Sequence, residues 1–179
     1  MQNDYYFNFD EPILYNKNII CAFHICDIER KRGFYFIVKE KNLLTLYYTM
    51  IRSSELMKFV REYIENMNLD KKLNFFDVFK IPDFKLKFND KYLQKKVLDN
   101  QNYIMETIDK MSKGKIYNAN NKIQGLDGFS VELKLDKATK NFYAWCSFDD
   151  KKYFYILDFV NSILDELEVN SKYRFEKVE

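Results

Sequence analysis

The chain contains few of the residues that build special sites. Its 179 residues include four glycines, two prolines, three cysteines and one histidine. Neither glycine-rich phosphate-binding pattern, G-x-G-x-x-G or G-x-x-x-x-G-K-[ST], occurs, which disfavours a nucleotide enzyme. Three cysteines are an odd number in a chain large enough to be stable without disulfides, so we expect reduced thiols.

Long apolar segments are also lacking. No run of about 18 apolar residues is present, and the N-terminal sequence MQNDYYFNFDEP has neither the basic nor the apolar region of a signal peptide. These absences predict a cytoplasmic protein without a membrane segment. The composition, 47% hydrophobic and 31% charged, is typical of globular proteins, and the length fits one domain over residues 1–179.

Charge is nearly balanced overall but unevenly distributed. Residues 1–122 contain 21 Lys or Arg and 16 Asp or Glu, a net charge of +5, whereas residues 123–179 contain 8 and 11, a net charge of −3. Nucleic-acid-binding domains usually combine a pI above about 9 with clustered Lys and Arg. The mild asymmetry therefore does not predict nucleic-acid binding.

Two stretches share one supersecondary pattern. Gly33-Phe34 and Gly128-Phe129 each begin a segment that reads as strand, polar turn, strand and helix. Duplication explains the likeness, and so does chance similarity in a chain rich in Phe, Tyr and Lys. The pattern divides the chain into a hairpin-helix unit (18–68), a middle region (69–122) and a second hairpin-helix unit (123–179).

The first unit begins with a predicted three-stranded antiparallel meander, residues 18–28, 33–38 and 43–50. Its first strand is apolar on both faces, which is typical of a central strand. Alternation places Cys21, Phe23 and Ile25 on one face and Ala22, His24 and Cys26 on the other. A helix capped by Ser53 or Ser54 follows, with a buried stripe of Leu56, Phe59, Val60, Tyr63, Ile64 and Met67.

The middle region is harder to assign. Residues Leu73 to Phe88 include Pro82, which cannot donate a hydrogen bond within a sheet. This stretch is either an edge strand broken at the proline or a loop packed by its phenylalanines, and we favour the broken edge strand. A long helix capped by Asp90 and ending near Lys113 is predicted next. Its apolar stripe lapses around residues 99–102, which indicates a kink or a later start.

The second unit has the clearest periodicity. Apolar and polar residues alternate from Phe129 to Leu135, which is typical of a strand with one buried face. A partner strand is predicted over Phe142 to Phe148, and a closing helix follows, with Leu157 and Val160 on its buried stripe. Beyond Val169 we predict one short strand or a frayed tail. Together these elements predict a single α+β domain with an antiparallel sheet of about five or six strands and three helices.

Cys21, His24 and Cys26 invite a comparison with zinc sites. Residues five apart on a strand point to opposite faces, whereas zinc ligands must converge. A nucleophilic pair of His24 and Cys26 is disfavoured because residues two apart on a strand lie about 6 to 7 Å apart. A pair of His24 with Cys146 stays open. We expect buried thiols, a buried histidine, and neither a metal nor a cofactor.

Charged residues offer two further candidate sites, and for each we favour a solvated surface. Carboxylates in pairs can carry acid-base chemistry or hold Mg²⁺, but those of the second unit look like strand-surface, turn and cap residues. Basic residues interleaved with aromatics can bind single-stranded nucleic acid, but here Asp83, Asp90 and Asp99 interrupt the run. The carboxylates are Asp127, Glu132, Asp136, Asp149 and Asp150; the basic run is Lys85, Lys87, Lys91, Lys95 and Lys96 around Phe84, Phe88 and Tyr92.

The only tryptophan, Trp145, falls with Tyr143 on the predicted outer face of the final hairpin. Large aromatics are enriched at the centres of protein interfaces. The alternative is that this face packs beneath the long helix predicted from Asp90. The predicted partner-binding residues are Tyr143, Trp145, Glu132, Asp136, Asp149 and Asp150.

The last third of the chain resembles the C-terminal pattern of small bacterial proteins. In that pattern an Asp-Gly turn begins a strand, a second strand carries a tryptophan, and a Leu-rich helix closes the domain. The matching positions here are Asp127, Gly128, Trp145 and Leu157. Some such proteins are immunity proteins of toxin-immunity pairs, so the resemblance implies a non-catalytic inhibitor that binds by surface complementarity.

We accordingly predict a bacterial, cytoplasmic, non-catalytic protein that binds and neutralises a partner toxin. Two alternatives stay open. One is a hydrolase or transferase with an unrecognised site, which a deep pocket with perturbed pKa values would indicate. The other is a nucleic-acid-associated accessory protein, which steeply salt-dependent binding of oligonucleotides would indicate.

Overall fold

The computed structural model describes residues 18–27, 31–69, 73, 75–113, 129–135, 138–145, 147–148, 151, 154–167 and 176–177. The strands are β1 (Ile19–Asp27), β2 (Lys31–Glu40), β3 (Leu43–Arg52), β4 (Gln94–Val97), β5 (Phe129–Leu135), β6 (Ala138–Trp145), β7 (Ser147–Phe148) and β8 (Glu176–Lys177). The helices are α1 (Ser53–Asn66), α2 (Phe75–Phe79), α3 (Pro82–Tyr92), α4 (Gln101–Lys113) and α5 (Phe154–Glu166). For β5 and β6 the structure describes the backbone and the side chain of Leu135.

Six strands form one antiparallel sheet in the order β4-β3-β2-β1-β5-β6. The predicted meander of β1, β2 and β3 is confirmed, and β1 is central because it pairs with β2 on one side and β5 on the other. β7 and β8 form a separate parallel pair, and β8 is the predicted short strand near the C-terminus. The α+β class is thus confirmed. None of the described helices is long and apolar enough to cross a membrane.

The two faces of β1 lead into separate cores, as the alternation predicts. Cys21, Phe23 and Ile25 are buried on the face that α4 and α5 cover. Ala22 is buried in the second core, beneath α1, α2 and α3, and the ring of His24 stacks on a phenylalanine of that core. The sheet is therefore the middle layer of three.

Gly33 makes room for a tyrosine ring on the first of these faces. A Cβ atom at this position would lie 2.6 Å from the Cε2 and the hydroxyl oxygen of Tyr35. The Tyr35 ring is 1% exposed and stacks on Phe23 at a centroid distance of 4.6 Å. The glycine that begins the first repeated pattern thus has a packing role, which is a common reason for a glycine inside a strand.

The body of α1 is confirmed, but both of its ends differ from the prediction. The N-cap residue is Arg52, whose side chain makes no capping hydrogen bond, so the predicted cap at Ser53 or Ser54 is wrong by one or two residues. Met67 occupies the C-cap position and is 45% exposed, so its place in the buried stripe is also wrong. The fully buried members of the stripe are Leu56, Val60 and Tyr63.

The predicted edge strand between Leu73 and Phe88 is wrong, because this region contains the helices α2 and α3. Pro82 begins α3 rather than breaking a strand. Its missing N–H costs nothing there, since the first helical N–H groups have no partner within a helix. Phe84 and Phe88, four residues apart, lie on one side of α3 and are both buried. The helix count therefore rises from the predicted three to five in the described residues.

The start of the predicted long helix at Asp90 is wrong, whereas the later start, predicted as an alternative from the lapse at residues 99–102, is confirmed. Asp90 lies inside α3, the chain then forms the edge strand β4, and α4 begins at Gln101, within the lapse of the apolar stripe.

The N-terminus of α4 is bound by a side chain from the end of α5. Backbone N–H groups of Asp99 and Asn100 donate to the carboxylate of Glu166 over 3.1 and 3.4 Å, a favourable position for a negative charge.

The second unit is confirmed where it is described. Leu157 and Val160 are fully buried in α5, as its stripe predicts. The predicted partner strand corresponds to β6, which begins at Ala138, four residues earlier than expected, and to β7. The predicted helix caps, Asp149 and Asp150, lie outside the described residues.

The strands β2 and β3 of the first hairpin-helix unit and the strands β5 and β6 of the second flank β1 on opposite sides. Both β2 and β5 run antiparallel to β1, and β3 and β6 lie outside them. α1 packs on one face of the sheet and α5 on the other. A two-fold rotation around the axis of β1 would exchange β2 with β5 and β3 with β6, and it would also exchange the two faces of the sheet, so that α1 would take the place of α5. The arrangement is therefore compatible with duplication, which stays a prediction.

Candidate protein-binding surface

The predicted partner-binding residues fall on and around the terminal hairpin, by which we mean β5 and β6. Glu132 lies in β5, and Tyr143 and Trp145 lie in β6, where the structure describes the backbone of all three. The remaining three predicted residues lie outside the described residues; they are Asp136, Asp149 and Asp150.

The strand register brings two of the predicted residues together. Tyr143 is the direct cross-strand partner of Glu132, and Trp145 is the partner of Ser130. Glu132 is in turn the partner of His24 in β1. Direct partners have Cβ atoms about 4.5 to 5.5 Å apart and are the pairs that interact across a sheet. Tyr143 and Glu132 therefore belong to one small area of the hairpin.

This row of partners extends across the sheet. His24 is the partner of Phe34, which is the partner of Thr49. The ring of His24 stacks on Phe34 with a centroid distance of 4.6 Å and an interplanar angle of 8°. The row runs from β3, which α1 and α3 contact, to the terminal hairpin.

The described strand residues that pack in the second core lie in β1, β2 and β3. α1 and α3 contact β3, and the sheet order places β6 four strands away from β3. Ala22 of β1, which also lies beneath these helices, is two strand spacings, about 10 Å, from β6. α4, which replaces the second half of the predicted long helix, contacts β5 and packs in the first core with Leu135. Whether Tyr143 and Trp145 are exposed stays a prediction.

The cysteine and histidine candidates do not converge in the described structure. Cys21 is fully buried in the first core and forms no disulfide. His24 is 8% exposed and lies on the opposite face of β1. The side chain of Cys26 and all of Cys146 lie outside the described residues, so the alternative pair of His24 with Cys146 stays open. Within the described ranges no group of three His, Cys, Asp or Glu side chains is placed to hold a metal ion.

Burial strongly raises the pKa of the Cys21 thiol, because the interior of the first core cannot solvate a thiolate. The nucleophilic form of cysteine is the thiolate. Cys21 therefore stays protonated at neutral pH and packs as a small apolar residue.

The basic and aromatic run does not form a stacking platform. Phe84 and Phe88 are fully buried in the second core and so cannot stack on a base. Lys91 instead lies over the rings of Phe59 and Tyr92, 5.1 and 5.2 Å from their centroids. Lys96, in β4, donates to the backbone carbonyl of Glu166. These lysines take part in contacts within the chain.

A polar junction between α1 and α3 was not predicted. The hydroxyl of Tyr63 donates to the carboxylate of Asp83 over 3.0 Å, and Lys87 lies 3.0 Å from the same oxygen. The hydrogen bond from Lys87, followed by that from Tyr63, lowers the pKa of Asp83. Burial and the adjacent carboxylate raise the pKa of Tyr63 to about 12. The four-residue spacing of Asp83 and Lys87 could have predicted their ion pair if this segment had been recognised as a helix. No sequence pattern indicates the contact of Asp83 with Tyr63.

A shallow depression of about 460 Å³ lies along the solvent side of α1. Its described lining comes from this helix alone and includes Met57, Lys58, Arg61 and Glu62. Lys58 and Glu62 form an exposed ion pair, 3.8 Å apart. Ligand sites are usually concave and built from several elements, so this surface offers little for an enzyme site.

Comparison of the chain with protein-family models, with curated proteins and with solved structures found no match. The proposal below therefore depends on the geometry of the terminal hairpin and on the charge of the chain.

Proposed function

We propose that this chain is a non-catalytic protein-binding protein, a bacterial cytoplasmic inhibitor that neutralises a partner toxin by binding it through the terminal hairpin. The observation that carries the proposal is the register of β5 and β6. It aligns Tyr143 directly with Glu132 and puts Trp145 two residues further along the same strand. An aromatic anchor beside charged residues matches the usual anatomy of a protein interface.

The position of the hairpin supports the same proposal. β6 is the last strand of the sheet, and the helices α1 and α3 contact the sheet at β3, on its other side. Rigid strands are also a suitable support for binding residues, because their backbone positions change little on association.

The negative charge of the last third of the chain favours a basic partner protein. Residues 123–179 carry 8 basic and 11 acidic residues, a net charge of −3. Asp136, Asp149 and Asp150 follow the two strands of the hairpin in sequence. Negative charge near a docking site attracts a basic partner and increases its association rate. A nuclease toxin, which must bind nucleic acid, has the required basic surface.

The experiment uses the protein encoded by the adjacent reading frame. Expressed alone, that protein should arrest growth, and co-expression of the present chain should restore growth. The two purified proteins should form a complex whose affinity is measured by calorimetry. Absence of both protection and binding would contradict the proposal.

Single substitutions then test the surface. Trp145→Ala should weaken binding by about 2 kcal/mol or more if the ring is an interface anchor. The matched control is Tyr103→Ala, an exposed aromatic residue on α4, which should leave the affinity unchanged. Asp136→Lys should mainly slow association and reduce its salt dependence. If Trp145→Ala unfolds the isolated protein, the ring is part of the core and the assignment of this surface is wrong.

A further inference from the structure

The solvent side of α1 carries a continuous stripe of exposed side chains, which we call the α1 stripe. Its members are exposed without exception and together line the shallow depression of about 460 Å³ described above. Side chains that recur at three and four residues form the ridges through which helices pack on one another. The α1 stripe has this spacing and consists of Ser54, Met57, Lys58, Arg61, Glu62 and Glu65.

The charges of the α1 stripe change sign at its middle. Lys58 and Arg61 precede Glu62 and Glu65, and the last turn of α1 contains no basic residue. The C-terminal end of a helix has a negative partial charge, so acidic residues there lower the stability of the helix. Glu55, in the first turn, is placed favourably but is not part of the stripe. The stability of α1 therefore does not explain the order of charges in the stripe.

The charge pairs within the stripe have the less favourable order as well. Lys58 lies 3.8 Å from Glu62, four residues later, and Arg61 precedes Glu65 by the same interval. Pairs at this spacing stabilise a helix more when the acidic residue comes first. Lys58 and Glu62 are 77% and 48% exposed, and such exposed pairs contribute little. The four charges are thus accessible to a partner.

Two copies of the α1 stripe complement each other when the helices run antiparallel. A two-fold axis midway between Arg61 and Glu62 places Arg61 opposite Glu62 of the second copy. The same axis places Lys58 opposite Glu65 of the second copy. Each contact occurs twice, and no like charges lie directly opposite each other. The antiparallel arrangement also brings the positive end of each helix dipole beside the negative end of the other.

We propose that the α1 stripe is a homodimer interface, at which two copies of this chain pair their α1 helices antiparallel around a two-fold axis. The same patch contacts itself, so the assembly closes with two chains. Met57 and Met67, which are 40% and 45% exposed, then lie beside each other across the two copies. A contact between single helices is smaller than the roughly 1,200 to 2,000 Å² of stable interfaces, so we expect a weak dimer.

The first measurement is the mass of the purified protein by sedimentation over a range of protein and salt concentrations. A dimer is expected at low salt, and it should dissociate on dilution and on addition of salt, because salt screens exposed charges. A protein that remains monomeric at millimolar concentration and low salt would overturn the proposal. A dimer whose affinity does not depend on salt uses another surface and would overturn it as well.

Two variants that repel themselves test the pairing. Arg61→Glu and Glu62→Arg each place like charges opposite each other at two symmetric positions, so each should raise the dissociation constant about tenfold. Mixed in equal amounts, they restore opposite charges at both positions, and a heterodimer of nearly the original affinity should form. A mixture that is no more dimeric than the separate variants would contradict the proposal. Circular dichroism checks folding, and Lys58→Glu with Glu65→Lys repeats the test at the outer contact.

The matched control is Glu106→Arg on α4, an exposed residue that undergoes the same charge change as Glu62→Arg. It should leave the dissociation constant of the dimer unchanged. An equal effect of both substitutions would show that net charge sets the association, and the proposal would then be wrong. The dimer uses α1 and forms from this chain alone, so its failure would leave the proposed function, which requires the terminal hairpin and a partner, unaffected.

Discussion

On one face of the sheet, α4 and α5 bury mainly aliphatic side chains, and Phe159 is the one ring among their fully buried residues. On the other face, α1, α2 and α3 enclose a group of aromatic rings in mutual contact. Phe84 is at the centre of this group, with centroids of four other rings between 4.8 and 6.3 Å away. The helices thus contribute mainly aliphatic side chains to the first core, which we call the aliphatic core although Phe23 stacks on Tyr35 within it. They contribute mainly aromatic rings to the second, which we call the aromatic core.

The aromatic core also has charged side chains at its boundary with solvent. Lys87 lies 5.3 Å from the ring centroid of Tyr63, and Lys91 lies over Phe59. Tyr63 donates a hydrogen bond to Asp83. Cations favour the faces of aromatic rings, so this core has charged groups at its rim. Substitutions of equal size should therefore have unequal effects on the two faces, and the effect of pH on stability should be greater on the aromatic face.

The largest effect is expected for Phe84→Ala, because a Phe→Ala change in a packed core costs about 3 to 5 kcal/mol. Phe84→Leu keeps most of the volume but loses the ring contacts, each worth about 0.5 to 1.5 kcal/mol beyond burial. Phe159→Leu removes one ring contact, that with Phe23. Chemical denaturation should therefore show a larger loss of unfolding free energy for Phe84→Leu than for Phe159→Leu. Equal losses would contradict the distinction between the two cores.

A somewhat smaller effect is expected for Leu157→Ala in the aliphatic core. Leu157 is fully buried, and Leu→Ala in such a position costs about 2 to 5 kcal/mol. The matched control is Leu86→Ala on α3, where the side chain is 63% exposed and the change should stay within about 0.5 kcal/mol. If Leu157→Ala behaves like the control, the buried face of α5 has been misassigned.

The smallest effect concerns pH and the rim of the aromatic core. The folded-state pKa of Asp83 is lowered from its ordinary value of 3.8, mainly by the hydrogen bond from Lys87. Its contribution to stability is therefore present above pH 3.8 and is lost as the pH falls through the folded-state pKa. Asp83→Asn should lower the unfolding free energy at neutral pH, and the difference from the unchanged protein should disappear in acid.

Tyr63→Phe tests the same junction from the alkaline side. The pKa of Tyr63 is raised from 10.0 to about 12, first by burial and then by Asp83. The stabilising contribution of the neutral phenol is present below pH 10 and is lost as the pH rises towards about 12. The substitution should make the stability curve flatter in this range. A curve of unchanged slope would show that Tyr63 does not titrate as part of this junction.

The sequence predicted correctly those elements whose pattern of apolar residues fits only one kind of secondary structure. The apolar faces of β1 predicted a central strand, and the stripe through Leu157 and Val160 predicted the buried side of α5. The prediction for the middle region was wrong because Pro82 was interpreted only as the break of an edge strand or as part of a loop, whereas it also fits the first turn of a helix. The burial of Phe84 and Phe88 in the second core decides between these structures. The candidate site stays a prediction, because the hairpin register pairs Tyr143 with Glu132 but does not decide whether Tyr143 and Trp145 are exposed.

The strands and helices with a clear apolar pattern could be predicted from the sequence alone. An element with one buried face needs apolar residues at a period of about 2 in a strand or about 3.6 in a helix. The uneven charge and the absence of two glycine-rich phosphate-binding patterns are also properties of the sequence alone. Only the tertiary structure decided that β1 unites strands from both halves of the chain and that α1 and α5 pack on opposite faces. It alone showed that Glu166 caps the N-terminus of α4. These features join residues far apart in sequence, so no local pattern records them. They arise because a sheet that is apolar on both faces must be covered on both.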